Sequence, residues 1–149
     1  MRTRTRLSGV AMLLAGTALT GSAAPQVARP MLNPSSQGIR GNLEHGRYIV
    51  HQVAMCVQCH SPRDDEGNIL ETREFDGAPI PFRPPWPNDW AISAPRNRGL
   101  AGYDDEQAMR LLTEGAIGRD GVQLKPPMPR FHMTKEDAAD VITYMRSLH

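Results

Sequence analysis

Five consecutive residues, Cys56-Val57-Gln58-Cys59-His60, carry the side chains best suited to chemistry in this chain. The two cysteines are three positions apart, and no other cysteine occurs in the sequence. A histidine directly after the second cysteine completes the C-x-x-C-H pattern of covalent haem attachment. Each thiol would add to one vinyl group of the porphyrin, and the histidine would then ligate the iron. The pattern therefore predicts Cys56, Cys59 and His60 as the binding residues of a haem c.

Other uses of two cysteines at this spacing have to be weighed against haem. A structural zinc ion needs four ligands, and the sequence has no second C-x-x-C pair or closely spaced histidine pair to complete the set. A thioredoxin-like redox pair belongs in a βαβ context, whereas the residues before Cys56 have a helical pattern. A plain disulfide stays possible in an oxidising compartment.

A second axial ligand for the iron is predicted in the segment Lys125-Pro126-Pro127-Met128-Pro129. Prolines on both sides deny Met128 a helical backbone and present its thioether from a stiff, extended segment. Met109 and Met145 lie in predicted helices, where packing in the core is the usual role of methionine. His132 is the alternative and would give bis-histidine ligation.

Composition limits the size and type of the fold. A chain of 149 residues has room for one domain, but only 5% of it is aromatic and it contains 13 Gly and 13 Pro. A buried macrocycle would supply hydrophobic bulk that these side chains lack. The formal net charge of +1 gives no basic field that would suggest nucleic-acid binding.

The N-terminus has the organisation of a secretory signal peptide. Three arginines between positions 2 and 6 precede an apolar stretch from Leu7 to about Leu19, and small residues at 21–24 offer a cleavage site. We predict a signal peptide at 1–23, a flexible lead-in at 24–41 and one domain at 42–149. Haem of this type is attached outside the bacterial cytoplasm, so export to the periplasm is expected. An uncleaved membrane anchor is the alternative, although the apolar run is short for a membrane span.

Hydrophobic periodicity predicts three helices and no convincing strand, so the domain is expected to be mainly α. The first helix runs from about Asn42 to Met55, with Leu43, Val50, Val53 and Ala54 on one apolar stripe. The second begins at Asp104 with a capping box and ends near Glu114, and the last runs from Thr134 to about Leu148. Gly46 lies inside the first helix, where glycine is unfavourable, so we expect a second helix to approach closely there.

The segment 76–99 is rich in proline and also contains both tryptophans of the chain. Prolines at this spacing exclude a helix or a central strand, and tryptophan is unusual in a linker, so we predict an ordered loop that covers one edge of the haem. Candidate contacts to a haem propionate are Trp86 and Trp90, with Arg83, Arg96 and Arg98 as charge partners. A backbone carbonyl just beyond Pro62 is the expected acceptor for the free ring N–H of His60.

From about residue 42 to its end, the chain resembles the class I cytochrome c family, in its bacterial mono-haem form. Three motifs carry the resemblance: the run from Cys56 to Asp64, the run from Pro126 to Phe131, and the helix that ends Tyr144-Met145-Arg146-Ser147-Leu148. The resemblance implies an α fold of three to four helices around one covalent haem, with the first and last helices crossing at Gly46. It also implies His60 as the proximal ligand and Met128 as the distal ligand.

These residues predict an electron carrier that performs no bond chemistry and is therefore not an enzyme. Its partners would be redox proteins, with a dehydrogenase as donor and an oxidase or another cytochrome as acceptor. The first alternative is a haem protein whose labile sixth site binds a small ligand or reduces peroxide, with a residue such as His132 near the iron. The second is a membrane-tethered cytochrome subunit of a dehydrogenase or oxidase complex.

Overall fold

Four α-helices frame residues 38–148, the part of the chain that this computed structural model describes. The predicted signal peptide and most of the predicted lead-in lie outside the described residues. The helices are α1 (Leu43–Tyr48), α2 (Cys56–His60), α3 (Asp105–Thr113) and α4 (Lys135–Ser147). Two-residue strands, β1 (Ala78–Pro79) and β2 (Ser93–Ala94), pair antiparallel, and short 3₁₀ turns lie at Glu71–Arg73 and Arg98–Leu100. The predicted mainly α fold is confirmed.

The predicted starts of the three helices at Asn42, Asp104 and Thr134 are confirmed by capping hydrogen bonds. The Asn42 side chain accepts from the backbone N–H of His45, and Thr134 caps α4 in the same way. Asp104 and Gln107 form a reciprocal capping box, in which the Asp104 carboxylate accepts from Gln107 N at 2.8 Å and the Gln107 amide oxygen accepts from Asp104 N at 3.1 Å. Such caps satisfy the free N–H groups of the first helical turn and fix where each helix begins.

The crossing of α1 and α4 depends on Gly46, as predicted. A Cβ at this position would collide with the carbonyl oxygen of Asp140 and would lie 2.5 Å from its carbonyl carbon and 2.9 Å from Tyr144 Cβ. Only a glycine lets the two backbones come this close. The crossing is also held by the Asp140 carboxylate, which accepts from Asn42 N at 2.5 Å and contacts His45 Nδ1 at 2.8 Å.

The first helix departs from the predicted apolar stripe. After Tyr48 the backbone continues as a π-helical turn, Ile49–Val53, whose wider turns change which side chains face inward. Val50 is fully buried, but Leu43 is 42% exposed and Val53 is 60% exposed. The prediction for those two residues was wrong. For Val53 the reason is that the prediction assumed the regular α-helical period, whereas Leu43 is the first residue of α1 and lies before the π-helical turn.

The core lies between the π-helical turn, α3 and α4 and continues under the loops. Its largest fully buried side chains are Phe75, Ile142 and Val50. The predicted apolar face of α4 is buried at Ala138, Val141, Ile142 and Met145. Within residues 38–148, no helix has both the length and the apolar character that crossing a membrane requires.

Arg146, near the end of α4, fixes the loop before α3. Its guanidinium donates to the carbonyls of Gly99, Leu100 and Tyr103 at 2.9, 3.3 and 2.6 Å, and to the Asp105 carboxylate at 3.2 Å. A planar group with several donors suits a set of convergent carbonyls. One side chain thus connects the last helix to the loop and the start of α3.

Candidate haem site

All four predicted site residues, Cys56, Cys59, His60 and Met128, line one cavity of about 670 Å³. This volume lies within the range of about 300–1,000 Å³ that is usual for cofactor and ligand pockets. The sequence separates the methionine from the cysteine motif by nearly half the chain, and the fold brings them to the same space. The remaining walls come from α3, α4, residues at 50 and 54, and the loops before and after α3.

The two cysteines reach the cavity from α2. Before them, Met55 adopts a left-handed backbone (φ 52°) that separates the π-helical turn from α2. Both thiols are free. Burial raises the pKa of the Cys56 thiol to about 11, and the nearby Cys59 adds to the rise. Cys56 is therefore protonated at neutral pH, unlike the low-pKa thiolate of a thioredoxin-type redox pair.

His60 is 7% exposed and its ring is fixed by one hydrogen bond. Nδ1 lies 2.8 Å from the Pro95 carbonyl, and since a carbonyl only accepts, Nδ1 carries the proton. The lone pair of Nε2 is then free to bind a metal. Burial lowers the pKa of His60, which favours the neutral, metal-binding form. The sequence predicted an acceptor just beyond Pro62, and that was wrong: the carbonyl comes from a residue 35 positions away.

Ser61 is a supporting residue that the sequence reasoning missed. Its side chain is almost fully buried, and its hydroxyl oxygen accepts from the backbone N–H of Phe75 at 3.1 Å. The N–H of Gly77 donates to the carbonyl of His60 at 2.8 Å. These two bonds attach α2 to the chain segment that leads to β1. No local pattern signals them, since each joins residues that are 14 or more positions apart.

Met128 lines the cavity and is partly buried. Its neighbours Pro127 and Pro129 also contribute to the lining. Two other methionines, Met55 and Met145, reach the same space, although Met145 was predicted only as a core residue. The predicted rival His132 is exposed and is not among the lining residues.

The cavity has mainly apolar walls and a positive charge balance. Val50, Leu111, Leu112 and Val141 are buried residues of the lining. Within the described part of the chain, its charged lining residues are Arg96, Arg119 and Lys125, and no acidic side chain lines it. Asn97, also in the lining, has a buried side-chain oxygen without a hydrogen-bond partner.

These features fit a haem. An apolar macrocycle with two carboxylates needs apolar walls and cationic or polar groups near its acidic edge. Two free thiols and a histidine with a free Nε2 are the groups that covalent attachment and iron ligation require. The residues present therefore fit the cofactor in their chemistry.

The proline-rich segment lines the cavity as predicted, but its tryptophans do not. Ile80, Phe82 and most of residues 91–97 contribute to the wall, Arg96 among them. Trp86 is 63% exposed, and Trp90 packs edge-on against Phe82 with ring centroids 6.1 Å apart. Neither tryptophan lines the cavity, and neither do Arg83 and Arg98. The predicted propionate contacts of these four residues are not supported.

Comparison with known families gives one match. A family model described as Cytochrome c matches residues 43–149, which begin at the first residue of α1 and include every residue of the cavity. No curated protein and no solved structure matches the chain.

Proposed function

Since this chain belongs to the cytochrome c family, we propose that it carries single electrons between redox proteins through a covalent haem c ligated by His60 and Met128. Membership of the family implies haem-based electron transfer. The C-x-x-C-H run supplies the residues for covalent attachment.

One observation carries the assignment of the ligands: His60 and Met128 line the same cavity as both cysteines. His60 Nδ1 is already engaged with the Pro95 carbonyl, so only Nε2 is available to iron. Haem c supplies a one-electron iron couple, and ligation by histidine and methionine raises its potential relative to bis-histidine ligation. Apolar walls keep water away from the cofactor, which limits the reorientation of water when the charge on the iron changes.

A catalytic or ligand-binding haem protein is the less supported alternative. Such a protein needs an open iron position with an acid–base group beside it. Among the described residues, His60 is the only histidine in the cavity lining, and no carboxylate lines it. We therefore propose a carrier and not an enzyme.

We further propose that the protein is exported to a bacterial periplasm and serves there as a mono-haem carrier. The signal-like sequence at 1–23 supports export. The donor would be a dehydrogenase and the acceptor an oxidase or another cytochrome. Phe82, Trp86 and Ile92 are exposed on the proline-rich segment next to the cavity, where a transient partner could make apolar contacts. Retention of the N-terminal segment would instead give a membrane-tethered subunit, and fractionation of cells with sequencing of the mature N-terminus separates the two.

The test of ligation is the visible spectrum of the holoprotein with and without carbon monoxide. The wild type should show a sharp reduced α band and the weak long-wavelength band of methionine-ligated ferric haem. Its reduced spectrum should not respond to carbon monoxide. Met128→Ala should lose the long-wavelength band, lower the potential and bind carbon monoxide.

Three control variants make this test specific. Met109→Ala changes a methionine outside the cavity and should leave the spectrum unchanged. Met55→Leu and Met145→Leu each remove one of the two other thioethers in the cavity lining and should also keep the long-wavelength band. Loss of the long-wavelength band in Met55→Leu or Met145→Leu but not in Met128→Ala would overturn the assignment of Met128. A strong response of the wild type to carbon monoxide would favour the open-site alternative.

A further inference from the structure

Two hydrogen bonds connect one short segment to His60 and to the loop that carries Met128, the two proposed axial ligands. The backbone N–H of Ala91 donates to the carbonyl of Pro126 at 2.7 Å, two residues before Met128. The carbonyl of Pro95 accepts from His60 Nδ1 at 2.8 Å. Residues 91–95, which we call the bridging segment, therefore contact the histidine at one end and the methionine loop at the other.

The bridging segment is extended and forms part of the cavity wall. Ala91, Ser93, Ala94 and Pro95 all line the cavity. Its centre is strand β2, which pairs with β1, and the carbonyl of Ile92 accepts from Ile80 N at 3.0 Å. An extended chain rises about 3.3 Å per residue, so its ends are separated by about 13 Å. Strand pairing and the fixed φ of Pro95 leave little freedom to change that length.

We propose that the bridging segment positions His60 and Met128 as a pair, so that loosening its histidine end also weakens the hold on the methionine. This inference rests on the proposed ligation by these two residues. A thioether is a weak ligand, so its retention depends on how well its loop is fixed. Groups that orient metal ligands commonly change affinity or activity by about 10–100-fold when they are altered. Ala91 and Pro95 are thus positioning residues and do not touch the iron.

Two proline substitutions, one directly after β2 and one in β1, test whether the positions of His60 and Met128 are coupled through the bridging segment. Pro95→Gly keeps the carbonyl that accepts from His60 but frees the backbone that holds it. Pro79→Gly makes the same change in β1, at a residue that pairs with Ser93 but does not line the cavity. Ferric holoproteins are titrated with imidazole, which competes with the methionine, while the long-wavelength band is followed.

We expect Pro95→Gly to bind imidazole about tenfold more tightly than the wild type and to lose the band at correspondingly lower imidazole concentrations. Pro79→Gly should differ from the wild type by no more than about twofold, because it keeps the pairing bond from Ile80 N to the Ile92 carbonyl and both hydrogen bonds of the bridging segment. Equal effects of the two changes would overturn the proposal.

A second pair of variants tests the other end and does not depend on Pro95→Gly folding. Ala91→Pro removes the N–H that donates to Pro126, whereas Ala91→Ser keeps it. The first should bind imidazole more tightly and the second should match the wild type. Equal imidazole affinities for the two variants would refute the bridging role while the methionine band of the wild type upholds the ligation. A wild type without that band would refute ligation by Met128 itself, which is a different outcome.

Discussion

Replacing Gly46 by alanine should destabilise the protein by driving α1 and α4 apart. The added methyl would lie 2.5 Å from the carbonyl carbon of Asp140, whereas carbon atoms pack at about 3.5–4.0 Å, so the helices must separate by about 1 Å. Overpacking of this kind costs about 1–3 kcal/mol and occasionally more, and alanine returns about 1 kcal/mol of helix propensity. The clash is with rigid backbone, so we place the overpacking cost at about 3–4 kcal/mol, which leaves a net loss of about 2–3 kcal/mol.

The free energy of unfolding of the holoprotein in urea, followed by far-ultraviolet circular dichroism, measures this loss. Gly67→Ala is the matched control, because a Cβ at Gly67 has no atom within 4 Å and its φ of +90° accounts for any cost. Left-handed backbone costs a non-glycine residue about 1–2 kcal/mol. If Gly46→Ala destabilises the protein no more than Gly67→Ala does, the close approach of the helices is not what requires glycine. Gly46→Val should be worse than Gly46→Ala, since its side chain is larger.

Three further substitutions have directions that follow from single side chains. Asp140→Asn should lower the free energy of unfolding by about 1 kcal/mol at pH 7. The reason is that the Asp140 carboxylate accepts hydrogen bonds from the His45 ring and the backbone N–H of Asn42, which lower the pKa of Asp140 below 3.8. This stabilisation is present above pH 3.8 and is lost as the pH falls through the pKa of Asp140 in the folded protein. The urea unfolding curves of the wild type and the variant should therefore converge in acid, and a difference in unfolding free energy that stays constant with pH would contradict this. Arg146→Ala should lower the free energy of unfolding by about 2 kcal/mol, because three loop carbonyls lose their donor. Arg73→Ala breaks only an exposed ion pair and should lower it by less than about 0.5 kcal/mol. Equal melting temperatures of the two variants would refute this difference. Ser61→Ala should lower the free energy of unfolding by about 1–2 kcal/mol, because it leaves the buried N–H of Phe75 without an acceptor. An unchanged rate of hydrogen exchange at the Phe75 amide would argue against this role of Ser61.

Three of the four described helices, α1, α3 and α4, could be predicted from the sequence because their signals are local. Asn42, Asp104 and Thr134 begin helices through bonds to residues three positions away, and the apolar face of α4 repeats with the ordinary helical period. The π-helical turn at Ile49–Val53 has no such local signal. It displaced the predicted face of the first helix and left Val53 exposed.

The candidate site was predictable only where a motif carries it. The cysteine motif and the proline-flanked Met128 are short patterns, and both line the cavity. The carbonyl that orients His60 belongs to Pro95, and backbone carbonyls leave no trace in residue type. For the same reason Trp86 was misplaced: an aromatic residue in a proline-rich loop indicates order, but it does not indicate which side of the loop faces the cofactor.

The size of the cavity has a consequence for the biogenesis of this cytochrome. Empty cavity volume costs about 24 cal/mol per Å³ when it stays dry, so a space of about 670 Å³ would cost at most about 16 kcal/mol, as much as the whole stability of an ordinary domain. The folded state of the newly made chain is therefore expected to have little or no stability before the cofactor is attached. The chain would then be unfolded, with Cys56 and Cys59 accessible, when the haem is attached, and the attached haem would stabilise the fold by filling the cavity.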